Sequence, residues 1–289
     1  MSRSQLQARF PAHLLTRSRA RGVAALITAG SAAVLLAGCS STPSTPASSA
    51  VPQSAAARTP AADNGLTGSI TVDAAASLNG VYPTLADSFT AANPGTKIAF
   101  NFGGSDSLAA AIVSGAPVDV FSSASTKTMQ TVIDAKLTAA TPVVVARNQL
   151  EIAVPKGNPG KITGLADFAD ADKTIVICAP TVPCGAAAQT VFAAANVTAK
   201  PDSTEQDVTS VLNKVKLGDA QAGLVYRTDV QAAGGAVKGI QFPESSQAIQ
   251  SYPIAPLTGS KNPTLAAAFV RYVQQQESVL QAAGFLTPQ

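Results

Sequence analysis

Two serines stand where a strand pattern gives way to a helix pattern. Ser77 follows the run around Ile70–Val72, and Ser105 follows Lys97–Phe102 and the pair Gly103-Gly104. In open α/β architectures ligands bind beyond the carboxyl ends of the strands, where helix starts present unpaired N–H groups and the positive ends of their dipoles. Each serine can offer a hydroxyl and a backbone N–H to one anion, and the glycines let the backbone come close. Two more turns, Val182-Pro183-Cys184-Gly185 and Glu205-Gln206-Asp207-Val208, lead into helical patterns, and Tyr226 ends the strand pattern AGLVY with a phenol donor. Taken singly, each has a plainer use. A serine or Asp207 at a helix start caps it, a tyrosine at a strand end packs, and Asp119 and Asp229 are solvated or capping. Only the combination is specific.

Other chemistries are excluded by what is missing. The single histidine is His13, so from residue 22 onward there is no imidazole for a Ser-His-Asp or Cys-His centre or a His-ligated metal. The three cysteines are Cys39, Cys178 and Cys184, too few for a four-cysteine zinc or iron–sulfur site. The formal charge of +3 misleads, because Arg3, Arg9, Arg17, Arg19 and Arg21 all precede residue 22. Without residues 1–38 the chain has 15 basic and 17 acidic residues, which argues against a nucleic-acid partner.

The elements that must position these residues alternate. Strand patterns at 68–72, 97–102, 118–121, 142–146, 150–154, 174–177, 222–226 and 254–257 are separated by helical patterns at 78–92, 108–115, 127–136, 185–195 and 206–217, with a last helix over 263–283. Strands alternating with helices of this length predict α/β units and mostly parallel sheets. So many units in the folded part predict two lobes, 66–146 plus 252–289 and 147–251. The stretches around Asn148 and Tyr252 are the crossings between them.

Residues 1–38 read as a secretory signal: a basic start, the apolar run GVAALITAGSAAVLLA, and small residues at the end. Leu36-Ala37-Gly38-Cys39 resembles the bacterial lipobox, which implies a lipid on Cys39 and an anchor at the outer face of the cytoplasmic membrane. Residues 39–65, rich in Ser, Thr, Pro and Ala, cannot bury a core and read as a disordered tether. Export leaves Cys178 and Cys184 as an even pair in an oxidising compartment. A disulfide closing the short loop is expected, with two separate buried thiols as the alternative.

The segments ITVDAAASL (70–78), SLAAAIVSGAPVDVFSSAS (107–125), VPCG (182–185), EQDV (205–208), AGLVYRTD (222–229), FPE (242–244) and YP (252–253) occur in this order. Together they resemble the molybdate-binding proteins of bacterial ABC importers, over residues 67–289. The resemblance implies a two-lobed type II solute-binding fold that closes on molybdate or tungstate in the interlobe cleft. It implies a monomer without cofactor or coordinated metal cation, and an ABC permease with its ATPase as partners. By the same resemblance the oxyanion is held by Ser77, Ser105 and Tyr226, and by backbone N–H groups at Cys184 and Val208. Two residues depart from the pattern. Asp106 sits beside a proposed contact and is expected to point outward or cap its helix. Cys184 replaces a small apolar residue. The alternatives are the same fold tuned to sulfate or phosphate and, less favoured, a lipid-anchored serine hydrolase, which finds no base here.

Overall fold

The computed structural model describes residues 65–288. The signal peptide, the lipidation at Cys39 and all but the last residue of the tether lie outside the described residues.

The first part of the chain runs β1 (Gly68–Ala75), a 3-10 turn (Ala76–Leu78), α1 (Tyr82–Ala92), β2 (Thr96–Gly103), α2 (Ser105–Val113), β3 (Val120–Ser122), α3 (Thr126–Asp134) and β4 (Val143–Asn148). The second runs β5 (Leu150–Pro155), β6 (Ile175–Cys178), α4 (Pro183–Ala194), β7 (Ser203–Glu205), α5 (Val208–Leu217), β8 (Ala222–Tyr226), α6 (Arg227–Ala232) and β9 (Val237–Ile240). Then β10 (Gln250–Pro256), α7 (Pro263–Gln274) and α8 (Glu277–Ala282) follow.

These strands form two five-stranded sheets, ordered β2-β1-β3-β10-β4 and β7-β6-β8-β5-β9. The pairings repeat. In the first sheet β2, β1 and β3 are mutually parallel, and β10 is antiparallel to both neighbours. In the second, β7, β6 and β8 are parallel, and β5 is antiparallel to β8 and β9. Each sheet thus has one reversed strand in the fourth place. The chain passes from one sheet to the other at Gln149, between β4 and β5, and again ahead of β10.

Each sheet carries its own apolar core. Val72, Leu78, Leu85, Phe89, Ile254 and Phe269 pack on one face of the first sheet, and Phe121, Met129, Val132 and Leu257 form a second cluster. Ile152, Phe168, Ile175, Val191, Val211 and Leu224 build the core of the second. Helix boundaries follow local chemistry. Ser125 caps α3 by accepting from Thr128 N–H at 3.2 Å, and Asn262 caps α7, with Pro263 in its first turn. Gly218 ends α5 in the left-handed conformation, φ 81°.

Some elements differ from the pattern read in the sequence. The helix over 78–92 is a 3-10 turn and then α1, and the helix over 263–283 breaks at Gln275-Gln276 into α7 and α8. Arg147 and Asn148 belong to β4 rather than to a connection. The short β7, β9 and α6 carry little apolar periodicity of their own. The tripeptide Ser203–Glu205 is a strand because β6 pairs with it.

Candidate functional site

The carboxyl ends of β1, β2, β6 and β8 converge on one small cavity between the two sheets. It is lined by Ala75–Ser77, Gly103–Ser105 and Ala124 on one side, and by Val182–Cys184, Asp207, Val208 and Tyr226 on the other. All five sequence-identified contact residues, Ser77, Ser105, Cys184, Val208 and Tyr226, therefore share one cavity, and all five are buried.

Ser77 sits in the 3-10 turn that β1 runs into, its Oγ 2.8 Å from Tyr252 Oη. Ser105 is the first residue of α2, and its Oγ accepts from Ala124 N–H at 3.0 Å. That bond occupies a lone pair and leaves the Ser105 proton to be given elsewhere. Gly104 precedes it at φ −62°, ψ 129°, a conformation open to any residue. It is glycine for another reason: a Cβ there would collide with the backbone carbonyl oxygen of Gln206, which approaches from the other side of the cavity.

On that side α4 begins at Pro183, which has no N–H, so Cys184 offers the first amide of the helix. The turn is tightly wound: Val182 N–H donates to Ala179 O at 3.0 Å, Ala179 N–H to Glu205 O at 2.8 Å, and Cys178 is disulfide-bonded to Cys184. A side chain on Gly185 would run into the Ala179 carbonyl. The next helix, α5, is capped by Asp207, whose Oδ1 accepts from Ser210 N–H at 2.8 Å and Oδ2 from Ser210 Oγ at 2.9 Å. Among the described residues Asp207 is the only carboxylate or cation lining the cavity, and both its oxygens are bonded to its own helix.

Tyr226 is 1% exposed, and among the described residues nothing sits in good hydrogen-bonding geometry to its hydroxyl, the nearest phenol being that of Tyr252. Burial, helped by neighbouring Tyr252 and Asp229, holds its pKa well above the ordinary phenol value, so it remains a donor. Asp229 accepts from Tyr226 N–H at 2.9 Å, and burial, with the Asp207 charge adding to it, pushes its pKa up to about 7. Asp207 and Asp229 thus do the capping that the sequence suggests. Asp119 ties β1 to the loop ahead of α7, accepting from Thr71 N–H, Ser260 Oγ and Lys261 N–H.

Asp106 does not line the cavity; it borders a separate groove with Ser125, Lys127 and Pro183. Among the described residues no group of three or more His, Cys, Asp or Glu is arranged to hold a metal ion. What remains is a set of neutral donors at three helix starts. Such a set attracts an anion, since dipoles and N–H or O–H groups bind charge strongly once water is shut out. Three participants were not legible in the sequence. Ala124 donates to Ser105, and Asn148 and Tyr252 stand behind Ser77. Only the residue types of the last two, at the crossings, could have hinted at a polar role.

Residues 70–286 match the family model for bacterial extracellular solute-binding proteins. Molybdate-binding protein ModA of Mycobacterium tuberculosis (strain H37Rv) is 40% identical over 222 residues, which are 76% of this chain and 85% of that protein. Molybdate-binding protein ModA of Escherichia coli (strain K12) is 31% identical over 230 residues, 75% of this chain and 89% of that protein. The solved periplasmic molybdate-binding protein of Azotobacter vinelandii shares the fold, with a TM-score of 0.65 at 20% identity, over 76% of this chain and all of that one. Two sheets with the same pattern of strand pairing, a cavity between them and these relatives together place the chain: it belongs to the bacterial extracellular solute-binding proteins, as a ModA-type member with the two-lobed type II fold.

Proposed function

We propose that the protein captures molybdate, or tungstate, outside the cytoplasmic membrane and delivers it to the permease and ATPase of an ABC importer. One observation carries this reading: the cavity gathers hydroxyls of Ser77, Ser105 and Tyr226 with the starts of α2, α4 and α5, and no lysine or arginine. In it the dianion is held by the two serines, by the Cys184 and Val208 N–H groups and by the Tyr226 hydroxyl. No metal cation, cofactor or catalytic step is involved. The names of the 40% and 31% identical relatives support molybdate as the ligand. A cavity fitted to that ion leaves the smaller sulfate with overlong hydrogen bonds.

The lobes of this reading are 66–146 plus 252–289 and 147–251, moving about the two crossings. Residues 1–38 are the signal peptide, Cys39 carries the lipid, residues 39–65 are the tether, and the protein works as a monomer at the outer face of the membrane. The test is a thermal-shift series with molybdate, tungstate, sulfate, phosphate and ferric citrate. A ligand at 100 times its Kd adds about 2.7 kcal/mol of stability. Molybdate and tungstate are expected to raise the melting temperature. A rise with sulfate or phosphate alone would keep the fold and overturn the ligand.

A further inference from the structure

The Ser77 hydroxyl is backed by a chain of buried side chains. Asn148, at the end of β4, and Tyr252, on β10, are both fully buried, and neither lines the cavity. The Asn148 Oδ1 accepts from Gln149 N–H at 3.0 Å. A backbone N–H can only donate, so this bond fixes the amide and turns Nδ2 the other way. There Nδ2 donates to Thr228 Oγ1 at 2.8 Å and, more weakly, to Tyr252 Oη at 3.4 Å. Tyr252 has one proton. With an amide N–H on its oxygen, that proton is free to be given to Ser77 Oγ, 2.8 Å away. Burial, the largest effect on Tyr252, raises its pKa, so the proton is retained across the physiological range. Having accepted from Tyr252, Ser77 has its own proton left for the cavity. Arranged so, the donors run one way, from Asn148 through Tyr252 to Ser77.

We propose that Tyr252 and Asn148 are positioning residues that lock Ser77 as a hydrogen-bond donor, and so bias the site toward fully deprotonated tetrahedral oxyanions over protonated ones. The inference rests on the proposed capture of an oxyanion at Ser77. A protonated anion such as hydrogen phosphate brings a hydroxyl that needs an acceptor, and a buried donor left facing a donor is costly. Ser105 is set in the same sense by a main-chain group, Ala124 N–H. At Ser77 the lock is made of side chains, and substitution can release it. It also ties β4 to α6 through Thr228.

The test is calorimetry on the full chain at pH 8, where molybdate, sulfate and hydrogen phosphate all carry a charge near −2 but only phosphate keeps a proton. Phosphate is read by competition against molybdate. Tyr252→Phe is expected to weaken molybdate and sulfate together by about tenfold while phosphate stays level or tightens. In a Ser77→Ala background the same change is expected to cost nothing more, because its effect runs through that hydroxyl. Asn148→Ala, which removes the donor to Tyr252, is expected to shift the three anions in the same pattern, and it carries the test if Tyr252→Phe does not fold. Equal losses for all three anions, or an undiminished loss in the Ser77→Ala background, would overturn the lock. Ser77→Ala without effect on any anion would instead overturn the site on which the lock rests.

Discussion

Gly104 makes the closed cavity testable from outside the ligand contacts. Its backbone, at φ −62° and ψ 129°, suits alanine as well as glycine. In the open form that the proposed capture implies for the free protein, Gly104→Ala therefore adds no backbone strain, and it removes some chain entropy from the unfolded state. With the cavity closed, the new methyl collides with the Gln206 carbonyl oxygen and stands 2.9 Å from Asp106 Oδ1. The Asp106 side chain can swing away, but the carbonyl is main chain, just ahead of α5. Relieving that contact requires a separation of about 1 Å, given ordinary carbon contact distances. A donor such as Val208 N–H, two residues on from Gln206, moves with it. A hydrogen bond lengthened by that much is effectively lost, and one bond to a charged ligand is worth about 1.5–3 kcal/mol. Molybdate affinity should then fall roughly 10- to 150-fold. Calorimetry gives the affinity, and thermal unfolding without ligand gives the control, expected to match the wild type or exceed it slightly. Unchanged affinity would refute the claim that Gly104 and Gln206 meet in the bound state. An equal loss of ligand-free stability would refute the claim that the clash is confined to closure.

Other substitutions separate binding from folding. Tyr226→Phe removes a buried hydroxyl that makes no well-formed hydrogen bond among the described residues, so the free protein should be no less stable while molybdate binding weakens roughly 10- to 100-fold; melting curves and titrations of the same samples check both. Replacing Cys178 and Cys184 with alanine opens a short loop and should lower stability by about 2 kcal/mol in urea unfolding. If affinity falls as well, the bridge also holds the first turn of α4 for the anion; unchanged affinity would leave it a purely stabilising link. Asp229, held near pKa 7 against an unfolded value of about 3.9, keeps a proton in the folded state that the unfolded chain loses between those values. Stability should therefore decline as pH rises from about 4 to about 7 and level off above, by roughly 4 kcal/mol in all for this group. Asp229→Asn should be more stable than wild type at pH 8, with the gap closing toward pH 4; parallel melting-temperature curves would contradict this.

The strands that carry the site were legible because their sequences are self-sufficient. Ile70 and Val72 of β1 and the run Ala222–Tyr226 are apolar and buried in the sheets. The five residues proposed to hold the anion were legible as a family pattern rather than one by one, since a serine before a helix is ordinarily a cap. What stayed hidden depends on partners far along the chain. Ser203–Glu205 is a strand only because Val176–Cys178 lies beside it. Tyr252 meets Ser77 across 175 positions, and Asn148 meets Tyr252 across 104. Gly104 reads in the sequence as a glycine that lets the backbone come close to a ligand, and what comes close to it is the Gln206 carbonyl. Asp106, suspect in the sequence as a carboxylate beside an anion, lies in the first turn of α2 and borders a different groove.

The central claim is that a tetrahedral dianion sits between the two sheets among neutral donors. A crystal of the protein grown with molybdate, measured at the molybdenum absorption edge, tests it most directly. One anomalous peak is expected in the cavity, surrounded by Ser77, Ser105, Cys184, Val208 and Tyr226. No ordered molybdenum there, or a peak held by lysine or arginine at another surface, would contradict the account.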